Sequence, residues 1–184
     1  MSGAERVALL SHCLANQNAK VGGYAIAPGV ISGVLTALRE AGYALVQMPC
    51  PEMAFLGARR WWQVREQYDT PGYRQRCREL AWSVADVLEA RIGPATRDIV
   101  VLGVDGSPSS GVRFTDRGPG WGGEPRTLPF DLVPGRGVWI EELDAVLAAR
   151  RLPRPRWLGI GLELPGFDEA RALAELRSFL AETV

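Results

Sequence analysis

Three short segments carry the side chains that could do chemistry: SHCLANQN at Ser11 to Asn18, PCPE at Pro49 to Glu52, and GVDGSPSSGV at Gly103 to Val112. Two hold a cysteine, Cys13 and Cys50, and the third holds Ser107, Ser109 and Ser110. Thiols are soft metal ligands and nucleophiles, carboxylates such as Glu52 move protons, and hydroxyls in a turn recognise polar ligands. Each segment follows an apolar run that reads as a buried strand. If the strands are parallel neighbours, the three segments meet at one crevice, where open α/β sheets bind ligands.

The elements that would position them alternate. RVALLS at Arg6 to Ser11 is a first strand, and a helix follows from Pro28 along Val30, Ile31, Val34, Leu35 and Leu38, closed by Gly42. Ala44 to Met48 is a second strand, stopped by Pro49 and Pro51. A short helical stretch is expected around Arg59 to Gln67, and a long helix from about Pro71 to Arg91. Asp98 to Val104 is the third strand and Arg156 to Leu162 the fourth. Val138 to Arg150 and Asp168 to Glu182 complete the helices, with Asp168 as N-cap. Gly106 to Gly137 has no periodicity and reads as a long functional loop around GPGWGGE. The expectation is an α/β, Rossmann-like single domain over residues 1–184, with a mostly parallel sheet covered by helices on both faces.

Composition narrows the chemistry. With 21 basic and 21 acidic residues in 184, the chain lacks the electrostatic footprint of a nucleic-acid or membrane binder, so a small molecule is the expected partner. Three cysteines without an export signal argue against a disulfide framework and for a reducing, cytoplasmic setting. Cys77 falls on the apolar stripe of the long helix and is expected in the core. His12, the single histidine, would point away from Cys13 if the strand simply continued. Glu52 suits either a helix-start carboxylate or an acid–base group. Asp105 is expected to cap its turn. No CxxC, Walker loop, GxSxG elbow or GxGxxG after a strand is present.

SHCLANQN, PCPE, YDTPGYRQRCRE at Tyr68 to Glu79, and GVDGSPSSGV, in this order and spacing, resemble the 2-thiouracil desulfurase (desulfidase) family, particularly the related branch with an SHC-type first motif. The resemblance extends over most of the chain. It implies a [4Fe-4S] cluster held by three cysteines, with the open iron taking the thiocarbonyl sulfur of a thiolated pyrimidine-type heterocycle and water replacing that sulfur. Two ligands fall on Cys13 and Cys50. The third falls on Ser110, where the family's SPSCG reads SPSSG. A serine alkoxide is a harder donor to generate than a thiolate. Cys77 is the only other thiol that could replace it. By the same resemblance Glu52 and Ser107 are catalytic; from their own placement, Ser109 and His12 at the crevice and a glycine-rich lid bearing Trp121 are expected to bind the substrate. The rival readings are a cluster-free binding protein or pseudoenzyme that keeps the heterocycle crevice, and a redox protein using Cys13 and Cys50 as a dithiol.

Overall fold

The computed structural model describes residues 4–118, 122–123 and 131–182. In chain order the elements are β1 (Arg6–Leu10), α1 (His12–Ala15), α2 (Ser32–Glu40), β2 (Ala44–Gln47), α3 (Pro51–Leu56), α4 (Arg65–Tyr68), α5 (Pro71–Glu89), β3 (Asp98–Val104), β4 (Phe114–Arg117), β5 (Asp131–Pro134), α6 (Val138–Ala149), β6 (Arg156–Ile160) and α7 (Glu169–Ala181). Among the described residues the main sheet is four-stranded, in the order β2-β1-β3-β6, and all its pairings are parallel. The fold is therefore α/β with a parallel sheet.

Alternation along the strands builds a core on each face. Val7 and Leu9 of β1 turn toward α5 and α6, joining Val101, Ala81, Leu88, Trp139 and Leu143. Ala8 and Leu10 turn the other way, toward Val34 and Leu38 of α2 and Leu176 and Leu180 of α7, with Leu102 and Leu158 between them. Both faces are covered, which is why β1 and β3 are almost continuously apolar rather than alternating. The chain leaves β1 through α2 on one face and leaves β3 toward α6 on the other. Such a reversal opens a crevice at the C-terminal tips of the two central strands.

The helices end where side-chain chemistry directs. After α2, Tyr43 N–H donates to Leu38 O and Gly42 N–H to Arg39 O, with Gly42 at φ 77°, a left-handed position that glycine adopts without steric cost. Thr70 Oγ1 accepts from Tyr73 N–H at the start of α5, and Asp168 Oδ1 from Arg171 N–H at the start of α7.

Two expectations are corrected. The stretch expected to be helical around Arg59 to Gln67 is helical only from Arg65 to Tyr68; Arg59 to Val64 runs irregularly, turning Arg60 and Trp62 inward, where both are buried. The stretch from Gly106 to Gly137 is not all loop. It contains the antiparallel pair β4 and β5, with Thr115 opposite Val133, outside the main sheet.

Candidate functional site

The tips of β1, β2 and β3 adjoin, because β1 pairs with both of its neighbours, Leu10 lying opposite Gln47 on one side and Leu102 on the other. At these tips lies a crevice of about 600 Å³ of empty space, open to solvent at its mouth. His12, Cys13, Cys50, Glu52, Ser107, Ser109 and Ser110 all line it. Trp121 lies outside the described residues.

Each strand exit bends its chemistry into the crevice. After β1 the chain enters the helical turn α1 at once, so His12 and Cys13 both line the cavity rather than diverging as a continued strand would make them. Gln17, fully buried, holds the following loop: its amide donates to Cys13 O, and its Oε1 accepts from Ile26 N–H at 3.2 Å. After β2, Pro49 and Pro51 end the ladder and Cys50 becomes the N-cap of α3, its Sγ accepting from Met53 N–H at 3.4 Å. Glu52 thereby falls in the first turn of α3. After β3, Ser107 Oγ accepts from Ser110 N–H at 3.0 Å, curling the serine turn back on itself. Asp105 does more than cap. Its fully buried carboxylate accepts from Val112 N–H at 3.0 Å, Arg113 N–H at 2.8 Å and Arg113 Nε at 2.7 Å, tying the turn to the start of β4.

Two buried ion pairs form the polar walls. Glu52 receives Arg60 Nε at 2.9 Å on one oxygen and the Ser109 hydroxyl at 2.5 Å on the other, so one carboxylate joins the second and third strand exits. Lys20, the single lysine, pairs with Glu163 beyond β6. The Arg60 and Lys20 side chains are 3% and 5% exposed. Ions so deeply buried persist only when paired. Neither cation, nor Glu163 and Asp116 on the same walls, stands out in the sequence, because each lies in an irregular segment or far along the chain from the residue it meets. Tyr68, also on these walls, opens the third motif, and Lys20 follows closely on the first; these were the available signals.

The electrostatics hold the free thiols protonated. Burial pushes Cys13 up to about 12, against the pull of the Lys20 cation, and burial likewise raises Cys50 against the neighbouring Arg60. Arg60 Nη2 lies 3.7 Å from Cys50 Sγ. His12 is lowered, chiefly by burial, and therefore neutral near pH 7; Gln47 Nε2 sits 3.0 Å from its Nδ1. Cys77 is apart from all this, fully buried on α5 within the core cluster of Tyr73, Ala81 and Val84. Among the described residues no group of three or more histidine, cysteine, aspartate or glutamate side chains is arranged to hold a metal ion.

Fold and site together define an α/β protein with a thiol- and carboxylate-bearing crevice at its strand tips. The chain belongs to the family of Uncharacterized protein MJ0003 of Methanocaldococcus jannaschii, to which it is 32% identical over 114 residues, spanning 62% of this chain and 72% of that protein. No protein-family model matches the sequence. A solved structure titled [4Fe-4S]-dependent thiouracil desulfidase TudS aligns with 92% of this chain and 99% of its own, at 22% identity and a TM-score of 0.49. Among the described residues no helix is long and apolar enough to cross a membrane.

Proposed function

We propose that the crevice is the active site of an iron–sulfur-dependent desulfidase that removes the thiocarbonyl sulfur of a 2-thiouracil-like heterocycle with water, in a cytoplasmic setting. The observation that carries this reading is the convergence of Cys13, Cys50, Glu52 and the Ser107 to Ser110 turn on one cavity, from three of the four motifs that resemble the desulfidase family.

A [4Fe-4S] cluster here would be held with one oxygen in place of a thiolate. Cys13 and Cys50 would supply the two sulfurs, each beside a cation that favours its deprotonated form, Lys20 and Arg60 respectively. Ser110, on the wall contributed by the third strand, would supply the oxygen. When bound, such a cluster offers a soft Lewis acid for the substrate sulfur.

The chain's own residues do the rest. Glu52, oriented by Arg60 and Ser109, takes the proton of the attacking water and returns it to the departing sulfur. The thiocarbonyl and water become a carbonyl and hydrogen sulfide, with no electrons gained or lost. Ser107 and Ser109 hydrogen-bond the ring, and neutral His12 borders it without adding charge. Gln17 and Asp105 act at one remove, by fixing the loops that carry Cys13 and the serines.

Ser110 itself favours a second reading, a cluster-free binding protein that keeps the same crevice for a heterocycle. Anaerobic reconstitution with iron and sulfide separates the two. Iron incorporation with a visible charge-transfer band and sulfide release from 2-thiouracil is the expected result, and ring binding with no iron uptake would establish the second reading instead.

A further inference from the structure

Arg60 carries a donor that nothing in the crevice accepts. Its guanidinium plane is fixed by three contacts: Nε to Glu52 Oε2 at 2.9 Å, Nη2 to Ala19 O at 2.8 Å, and Nη2 against Cys50 Sγ at 3.7 Å. Nη1, the remaining nitrogen, has no hydrogen-bond partner. The hydroxyl of buried Tyr68 makes no close hydrogen bond either, its oxygen interacting loosely with the Arg60 guanidinium while its proton has no acceptor, and both residues line the same cavity. Buried donors are nearly always satisfied, and two unsatisfied on one cavity wall call for an acceptor delivered by whatever fills it.

The geometry points to Arg60 Nη1 and the Tyr68 hydroxyl as a donor pair that binds an oxo group of the ligand, making them determinants of specificity for rings that carry a carbonyl besides the reacting sulfur. This rests on the reading of the crevice as a heterocycle site. Charge decides between a neutral oxygen and an anionic one. Arg60 is already matched by Glu52 and Lys20 by Glu163, so a ligand carboxylate would add an uncompensated negative charge among buried groups, whereas a carbonyl would satisfy the donors without one. Burial also pushes the Tyr68 hydroxyl far above the usual phenol range, so it remains a donor at every physiological pH. A site built to hydrogen-bond a polar group discriminates against the analogue lacking it, because its buried partners are then left unpaired.

The test is calorimetric binding to the full chain, handled anaerobically, of two matched pairs of rings: 2-thiouracil against 2-mercaptopyrimidine, and uracil against 2-hydroxypyrimidine. In each pair only the first member carries the ring oxygen at C4. The expected result is about tenfold tighter binding of the oxo-bearing member, a ratio that collapses toward one in Tyr68→Phe and Arg60→Gln. Tyr68→Phe is the decisive variant, since it leaves the buried Glu52 ion pair intact while Arg60→Gln removes it. Equal affinities within both pairs, a ratio unchanged in Tyr68→Phe, or no binding of any of the four rings would overturn the assignment. Sulfide release and iron uptake are scored separately: their failure with the oxo preference intact overturns the desulfidase reading and leaves this one standing.

Discussion

Gly159 of β6 and Asp105 at the exit of β3 compete for one space: a Cβ added at Gly159 would lie 2.0 Å from Asp105 Oδ1. The glycine is there to admit the carboxylate. That carboxylate gathers Val112 N–H, Arg113 N–H and Arg113 Nε, while Arg113 Nη2 returns to Gly159 O at 2.8 Å, closing a ring of contacts beneath the serine turn.

Gly159→Ala is therefore expected to destabilise the fold by about 2–3 kcal/mol, the range for overpacking a rigid site. Asp105→Ala, which strands buried N–H donors, should cost on the order of 3 kcal/mol. Urea midpoints with unchanged slopes are the check. An Asp105→Ala variant as stable as the parent would show that the turn finds other acceptors.

Restoring sulfur at the third strand tip by Ser110→Cys should raise bound iron and sulfide release together, since a thiolate is the better iron ligand and the two side chains are close in size. Iron per chain and the rate of sulfide release from 2-thiouracil, compared after identical anaerobic reconstitution, decide it. A serine form already fully loaded and fully active, with no gain from cysteine, would mean that the third ligand lies elsewhere.

Cys77→Ala tests that possibility from the other side. The thiol is fully buried against Tyr73 and Ala81, so its truncation should cost about 1–2 kcal/mol in stability and leave the iron content untouched. Loss of the visible chromophore in a variant that still folds would make Cys77 a ligand.

At the opposite end of the strands, Asp98 ties three elements together. Burial opposes its charge, but Arg156 Nε at 3.1 Å, Arg156 Nη2 at 2.6 Å and the Tyr43 hydroxyl outweigh that and hold its carboxyl below the usual range. A carboxyl depressed in the folded state contributes stability that is present above its unfolded pKa of about 3.9 and is lost as pH falls through the folded value. Acid titration of the urea midpoint should show this loss in the parent chain. Asp98→Asn should be less stable at pH 7 and flatter below pH 4, and an identical acid limb in the two proteins would refute the linkage.

The strands were legible because both sheet faces are covered: Asp98 to Val104 is an apolar run in the sequence and a strand over those same residues. The helix caps at Asp168 and Gly42 were equally local and equally readable. The crevice was legible as a meeting of three strand exits, since residues at equivalent tips of neighbouring parallel strands must adjoin. Its walls were not. Arg60 carries no pattern of its own, and its place is set by Glu52 and by a carbonyl 41 residues earlier, a contact that no local periodicity encodes. The helix expected across Arg59 to Gln67 failed for the same reason, tertiary demands on Arg60 and Trp62 overriding local propensity. The direction of His12 was missed because α1 begins immediately after β1 and replaces a period of two with a helical turn.

The ion pair between Lys20 and Glu163 spans 143 residues, and this fixes a chronology. A chain made from its N-terminus presents Cys13 and Cys50 long before the segment beyond β6 exists. In that interval the thiols stand in water, at ordinary acidity, free to meet iron, oxygen or each other. The ion pair to Lys20 arrives only with the segment beyond the last strand, so the wall beside Cys13 is the last part of the crevice that the growing chain can complete.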